Sequence, residues 1–401
     1  MPGPLTGMTV IEVSAFIAAP YAGLNLAQMG AEVIRIDPIG GGLDYNRWPV
    51  TNDGESLYWA GLNKGKKSVT LNVRDPKGRE LAHNLMTTGG PGKGIVVTNL
   101  PARGWLDYDG LKAKRDDLIM VNIVGRRDGS VALDYTVNAR TGFPLITGPV
   151  GTKGPVNHVM PVWDVVTALA ASNAVLVADR HRRDTGEGQY VRIALADSAF
   201  AVLSHLGYVA EAQINQTDRP ATGNHVFGTF GCDFPTSDGR RVMITAFTPR
   251  HWLALLEATG LEERFAALAA EEGVDLSREE ERYALRETIE AELAPWFAAR
   301  PLDKIGKALD AVGACWGPYQ TVRQAVAEDP DLSAENPMFT EIEQPGIGRY
   351  LAAGSFIDFS GIPREPAVPA PTLGSNTESV LTEKLGLTNS DLSTLKDGGV
   401  I

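Results

Sequence analysis

The sequence predicts an α/β protein with a second, mostly helical domain, and three observations carry that reading. A β-branched strand at 9–13 (TVIEV), a helix over 20–29 and a second strand at 31–36 (AEVIRI) form a βαβ unit, which implies a parallel sheet. Apolar strand candidates follow at 94–98, 118–124 and 191–195, with a long helix over 163–181 before the last of them. After about residue 220 the composition changes to a Gly-rich, turn-rich stretch (223–239), one strand (240–246) and amphipathic helices over 250–310.

Each element has a local cause. Gly30 supplies the stop for the first helix, since a glycine accepts the left-handed conformation that ends helices. Residues 345–371 return to Gly, Pro and short β patterns, and 376–396 read as two short helices. The expected organisation is a large α/β domain over 1–215, a small, mostly helical domain over 222–315, and a C-terminal return to the large domain over 320–401.

Length and charge bound the function. The 401 residues suffice for two domains, and 43% hydrophobic with 21% charged residues is ordinary for a globular chain. A net charge of −12 argues against nucleic acid as a partner. An anionic ligand would need a local cluster of cations and backbone N–H groups. Two cysteines, Cys232 and Cys315, and six histidines without ligand spacing argue against a disulfide framework and a metal centre. The first residues have no basic segment leading into an apolar one, and the apolar run Val165–Ala178 is too short to span a bilayer. The expectation is a cytoplasmic protein with no membrane partner.

The loop after the first strand, Ser14 to Pro20, contains no glycine, whereas a dinucleotide fold needs glycines there to let a pyrophosphate approach the backbone. Asp37 then reads as a strand-end turn residue. Neither a phosphate-binding GxxxxGK[ST] loop nor a GxSxG nucleophile elbow occurs. Asp164 follows Pro161 at the start of an apolar helix, where an aspartate serves equally as an N-cap or as a carboxylate nucleophile; Thr167 occupies the place a capping-box glutamate would take.

Five segments, in order across nearly the whole chain, resemble the family III CoA-transferases, the CaiB/BaiF group. They are FIAAPYAGLNLAQMGAEVIRID (16–37), LNKGKKSVTLNV (62–73), VVTNLPARGWLDYDGL (96–111), RHRRDTGEGQYVRIALAD (180–197) and PTLGSNTESVLTEKLGL (371–387). The resemblance implies a Rossmann-like large domain plus a smaller α+β domain, closed into a ring-shaped subunit within an interlocked homodimer. It also implies no permanently bound cofactor, with coenzyme A arriving as part of the substrate. Four further stretches, 37–51, 118–129, 156–167 and 335–348, are similar to a subgroup acting on the CoA thioester of a branched unsaturated dicarboxylic acid. In that subgroup CoA moves between two carboxyls of one molecule.

By the same resemblance Asp164 is the nucleophile, forming an anhydride and then an aspartyl-CoA thioester. Ile17, Ala18, Arg35, Leu62, Asn63, Lys64, Lys66, Asn99, Leu100 and Arg103 match CoA-contacting positions. Arg47, Arg126, Arg127 and His158 are the candidates to hold the second carboxylate, Arg because its fork grips a carboxylate bidentately. Gly223, Gly228 and Gly231 resemble a glycine-bearing loop over the active site, or are plain turns. The related racemases carry a His-Asp pair where this chain has Leu133-Asp134, so the base for proton abstraction is missing. Transfer between two different acids remains the alternative, with a non-catalytic CoA-binding module further off.

Overall fold

The protein is described from a computed structural model over residues 3–401. Two compact units appear. The first contains the described residues up to Thr141 with His158–Ile214 and Pro330–Ile401; the second contains Gly142–Asn157 and Asn215–Asp329.

The first unit is built on six strands: β1 (Thr9–Val13), β2 (Glu32–Asp37), β3 (Lys67–Thr70), β4 (Ile95–Thr98), β5 (Ile119–Val124) and β6 (Tyr190–Ala194). They lie in the order β3-β2-β1-β4-β5-β6, all parallel. The central strands read as unbroken apolar runs because both faces are covered. Val10, Val33, Ile95, Val97 and Val121 face the helices Ala18–Gln28 and Val162–Thr185. Ile11, Ile34, Val69, Val96 and Met120 face the helix Pro76–Met86 and the C-terminal helices Thr377–Leu385 and Asn389–Asp397. The C-terminal segment is tied to the sheet edge: Ser68 N–H donates to Asn376 Oδ1 (3.0 Å) and Thr70 N–H to Thr377 Oγ1 (3.0 Å).

The chain reverses its direction of winding between β1 and β4, so the carboxyl ends of these strands flank a crevice, the usual place for a ligand in such sheets. The helix Val162–Thr185 is 24 residues long, longer than the 163–181 expected, and by length and apolar content could cross a membrane. It packs instead against the helix Ala18–Gln28 and the sheet through Ala168, Ala171, Val175 and Ala178. It also carries the buried ion pair Arg182–Asp179 at 2.7 Å.

The second unit has an antiparallel sheet of β7 (Phe230–Pro235), β8 (Arg241–Ala246) and β9 (Cys315–Tyr319) under five helices between Pro249 and Val312. Its core centres on Phe230, Phe234, Trp252, Phe265 and Phe297. The sequence foresaw only the middle strand. β7 (FGCDFP) is buried along nearly its whole length, and so lacks the alternation that marks a half-exposed strand. The segment Gly142–Asn157, read as part of the large domain, belongs to this unit. The fold also gathers His225, Cys232 and Glu290, whose ligand atoms lie within 4.8 Å of one another, a grouping that sequence spacing does not announce. A separate hairpin, β10 (Phe339–Gln344) and β11 (Gly348–Ala353), belongs to the first unit.

Candidate active site

The loop joining β1 to its helix is the site's framework. It has no glycine, yet it turns as if it had one: Phe16 sits in the left-handed region at φ 64°. A bulky residue there is strained and must be held by its surroundings. Phe16 N–H donates to Asp44 Oδ2 (3.1 Å). Asn99, at the end of β4, grips the preceding residue twice, accepting from Ala15 N–H (2.9 Å) and donating to the Ala15 carbonyl (2.6 Å). Ile17 is the half-buried residue preceding the helix, while the Ala18 methyl points into the core.

Beneath this loop lies a buried charge network. Arg35 donates through Nε and Nη2 to Asp37 (2.8 and 3.0 Å), through Nη2 to Asp44 (2.9 Å) and through Nη1 to Asn63 (3.3 Å). Lys66, fully buried, sits 2.9 Å from Glu12 Oε2 and donates to the Pro20 carbonyl (2.8 Å) and Asn63 Oδ1 (3.0 Å). Burial pulls Arg35 toward losing its proton, but Asp37, Glu12 and Asp44 outweigh it and hold the guanidinium charged. Burial lowers Lys66 to about 8, against the pull of Glu12. Gly23 allows the approach, since a Cβ there would lie 1.8 Å from Glu12 Oε2.

Arg35, Asn63 and Lys66 are thus buried, with protein partners for their polar groups. A buried pair is costly to break on one side only. Lys66→Met should therefore lower stability by about 3–5 kcal/mol, read as a fall in the denaturation midpoint. Adding Glu12→Gln should restore part of it. An unchanged midpoint in the single variant would contradict this view of the network.

The crevice holds a cavity of about 360 Å³ lined by Val13, Ile36, Gly42, Leu43, Leu100 and Trp105, among others. Arg103 is exposed in the loop between Leu100 and Trp105. Leu62 ends the short helix Leu57–Leu62, and Lys64 just beyond it donates to the Gly61 carbonyl (2.8 Å), its pKa lowered by burial.

Asp164 lies within electrostatic reach of Arg47 and Tyr58. It is the third residue of the helix Val162–Thr185, whose N-cap is Pro161 and which has no side-chain cap of its own. The capping is done from a distance by Asp134: Oδ2 accepts the N–H groups of Trp163 (2.7 Å) and Asp164 (3.1 Å). The Asp164 carboxylate is therefore released from the capping role that the sequence left open to it. Burial pushes it up from its ordinary 3.8 to about 7, Asp134 pushes the same way, and Arg47 opposes both.

Arg47 is exposed and flanked by two rings, 5.5 Å from the Phe16 centroid and 5.4 Å from that of Tyr58. Burial pushes the Tyr58 hydroxyl up to about 12, against Arg47, so it stays a neutral donor. His158, held 2.8 Å from Asp134 Oδ1, lies in the same cluster. Arg126 and Arg127 are in the exposed turn after β5, with Arg127 ion-paired to Asp197 at 3.1 Å. Gly223 and Gly228 are left-handed turn residues of the second unit, whereas Gly231 lies within β7.

Sequence reasoning missed Asp134, Tyr58 and Phe16 as site residues. Asp134 was noticed only for lacking a histidine before it, and nothing local announces a cap supplied from 30 residues upstream. What the cluster can do chemically is present one half-buried carboxylate, raised in energy, beside one cation. That suits covalent catalysis on an acyl group.

Comparison with known proteins gives a consistent result. The model for CoA-transferase family III matches residues 5–377. The 2-methylfumaryl-CoA isomerase of Chloroflexus aurantiacus is 53% identical, over 100% of this chain and 98% of that protein. The succinyl-CoA:mesaconate CoA-transferase of Haloarcula marismortui is 30% identical, over 95% and 96%. Among solved structures, a CAIB/BAIF family protein from Brucella suis superposes with a TM-score of 0.76 at 24% identity, over 96% of this chain and 100% of that one, a likeness of fold.

Proposed function

The chain belongs to CoA-transferase family III, and from that premise we infer that it moves CoA from one carboxyl of mesaconate to the other within a single substrate molecule. The substrate is 2-methylfumaryl-CoA and the product 3-methylfumaryl-CoA. The observation that carries this reading is the full-length similarity to an enzyme of that activity at 53% identity.

The geometry supports Asp164 as the nucleophile. Its carboxylate oxygen attacks the thioester carbonyl, the C–S bond breaks, and CoA leaves as thiolate from a mixed anhydride. The thiolate attacks the aspartyl carbonyl, giving an aspartyl-CoA thioester and free mesaconate. The other carboxylate of mesaconate then attacks that thioester, and the same two steps run in reverse. No proton is consumed or released along this route. Exclusion of water from the site would protect either intermediate from hydrolysis.

We assign CoA to the crevice above β1, β2 and β4, with Leu43, Leu100 and Trp105 as its apolar wall, and take Arg103, exposed in the loop that carries Trp105, and Lys64 as the candidate cations for its phosphates. The loop Ser14–Ile17 joins this cavity to the catalytic cluster: Ser14 and Ala15 line the one and Phe16 packs on Arg47 in the other. A CoA thioester substrate accords with a cytoplasmic site of action.

Incubation of 2-methylfumaryl-CoA alone, with products separated by mass and retention time, tests the reading. Isomer formation without an added acid is expected, and a strict need for a second acid would overturn it. The log of kcat/KM should fall with unit slope below about pH 7, because only the ionised Asp164 is nucleophilic. A flat profile down to pH 5 would contradict the role of this carboxylate.

We further infer a homodimer with interlocked subunits. Support comes from apolar side chains left exposed on the Asp164 helix, Leu169 at 40% and Val177 at 60%, and just before it, Val159 at 93% and Met160 at 56%. Sedimentation at nanomolar concentration should give a dimer; a folded, active monomer would contradict it.

A further inference from the structure

We propose that His158 is a positioning residue. Through its hydrogen bond to Asp134 it fixes and offsets the carboxylate that caps the Asp164 helix, and so holds Asp164 in its ionised, nucleophilic form. This rests on Asp164 being the nucleophile.

The geometry is a short relay. Asp134 is 3% exposed, and a carboxylate in such a place must have its lone pairs occupied. Its Oδ2 takes both amide N–H groups at the start of the helix, which leaves Oδ1. His158 Nε2 lies 2.8 Å from Oδ1. An ionised carboxylate only accepts, so Nε2 carries the hydrogen. The His158 ring is further fixed edge-on by Tyr135, centroids 5.7 Å apart, and Tyr135 itself donates to the Val159 carbonyl (3.0 Å). His158 thus has its Nε2 contact with Asp134.

Electrostatics make this contact matter. Asp134 is needed as a cap, yet its negative charge lies against the very carboxylate that must ionise. Arg47 opposes that charge from the loop side, flanked by Phe16 and Tyr58. His158 opposes it from behind, through the cap. The charged and titratable groups facing the cluster are therefore Asp134 and Tyr135 from the helix start that follows Leu133, His158, Arg47, Tyr58, Asp44, which holds Phe16 N–H and acts on Tyr58, and Asp164 itself.

The test is the acid limb of kcat/KM against pH. His158→Ala should move the limb up by about one pH unit, and lower kcat/KM about fivefold at pH 7. Asp134→Asn, which removes the charge but keeps an acceptor for the helix amides, should move it down by a similar amount. On the Asp134→Asn background His158→Ala should add no further shift, since the charge it offsets is gone. His158→Gln keeps an N–H donor and should lie closer to wild type than His158→Ala; it also serves if the alanine variant does not fold. A limb that stays in place in a folded His158→Ala variant, a loss confined to KM, or equal shifts in the alanine and glutamine variants would each overturn the proposal. Hydroxylamine trapping of the acyl-enzyme separates the two levels. Trapping at Asp164 with an unmoved limb overturns only the role of His158, and trapping elsewhere overturns the nucleophile itself.

Discussion

Asp164→Ala is expected to abolish isomerisation, a loss of about four orders of magnitude or more, while making the folded protein more stable. The loss follows from the chemistry. In the proposed route both covalent intermediates are acyl derivatives of this one carboxyl, and alanine has no group to form them. The gain in stability follows from the site's electrostatics. Burial and the neighbouring Asp134 push Asp164 from its ordinary 3.8 to about 7, so ionising it inside the fold costs free energy. At about 1.4 kcal/mol per unit the ceiling is about 4 kcal/mol, and partial exposure to solvent reduces it to about 1–2.

The sign can be read from pH. A carboxyl raised in the folded state favours folding only below its unfolded value, and that contribution is lost as pH rises through about 7. The variant's advantage in melting temperature should thus be widest above pH 7 and close toward pH 4. Turnover within a hundredfold of wild type in a folded variant would exclude Asp164 as the nucleophile. A variant less stable than wild type at pH 8 would show that the carboxylate contributes to the fold. Asp164→Asn is a poorer choice, since deamidation regenerates the acid.

How far the sequence reveals this protein depends on how local each cause is. β1, β2, β4 and β5 are legible because a parallel strand covered on both faces is an apolar, β-branched run wherever it occurs. β7 and β9 are not: both contain Gly and Pro, β7 an Asp as well, and they become strands because β8 lies between them and helices cover them. The site divides the same way. Asp164 is marked by its place in the first turn of an apolar helix, whereas its release from capping depends on Asp134, distant in sequence and adjacent in space. Arg35 and Lys66 show that charge alone does not reveal use. A cation near a ligand loop reads the same whether it meets a phosphate or, as the fold arranges here, buried carboxylates.

Excess labelled free mesaconate should not enter the product during isomerisation of unlabelled 2-methylfumaryl-CoA. The substrate carries donor and acceptor carboxyls on one rigid alkene. In the proposed route, once CoA has passed to Asp164, the freed dianion must turn and present its other end. Arg47 is suited to hold it, a guanidinium flanked by the Phe16 and Tyr58 rings and acting directly on Asp164. Its planar fork accepts either carboxylate equally well. An acceptor held in place has an effective concentration of about 1 M or more, so roughly 10 mM labelled acid in solution should contribute less than about one label per hundred turnovers. The relative from Haloarcula marismortui is named for transfer between succinyl-CoA and mesaconate, so exchange with solution is the natural competing outcome. Label entering the ester as fast as the isomer forms would establish release and recapture, and would make this chain an intermolecular transferase acting on its own product. Arg47→Met, which keeps the bulk between the two rings but not the charge, should raise label entry even where some isomerisation survives. Without its clamp, the dianion would leave before it could turn.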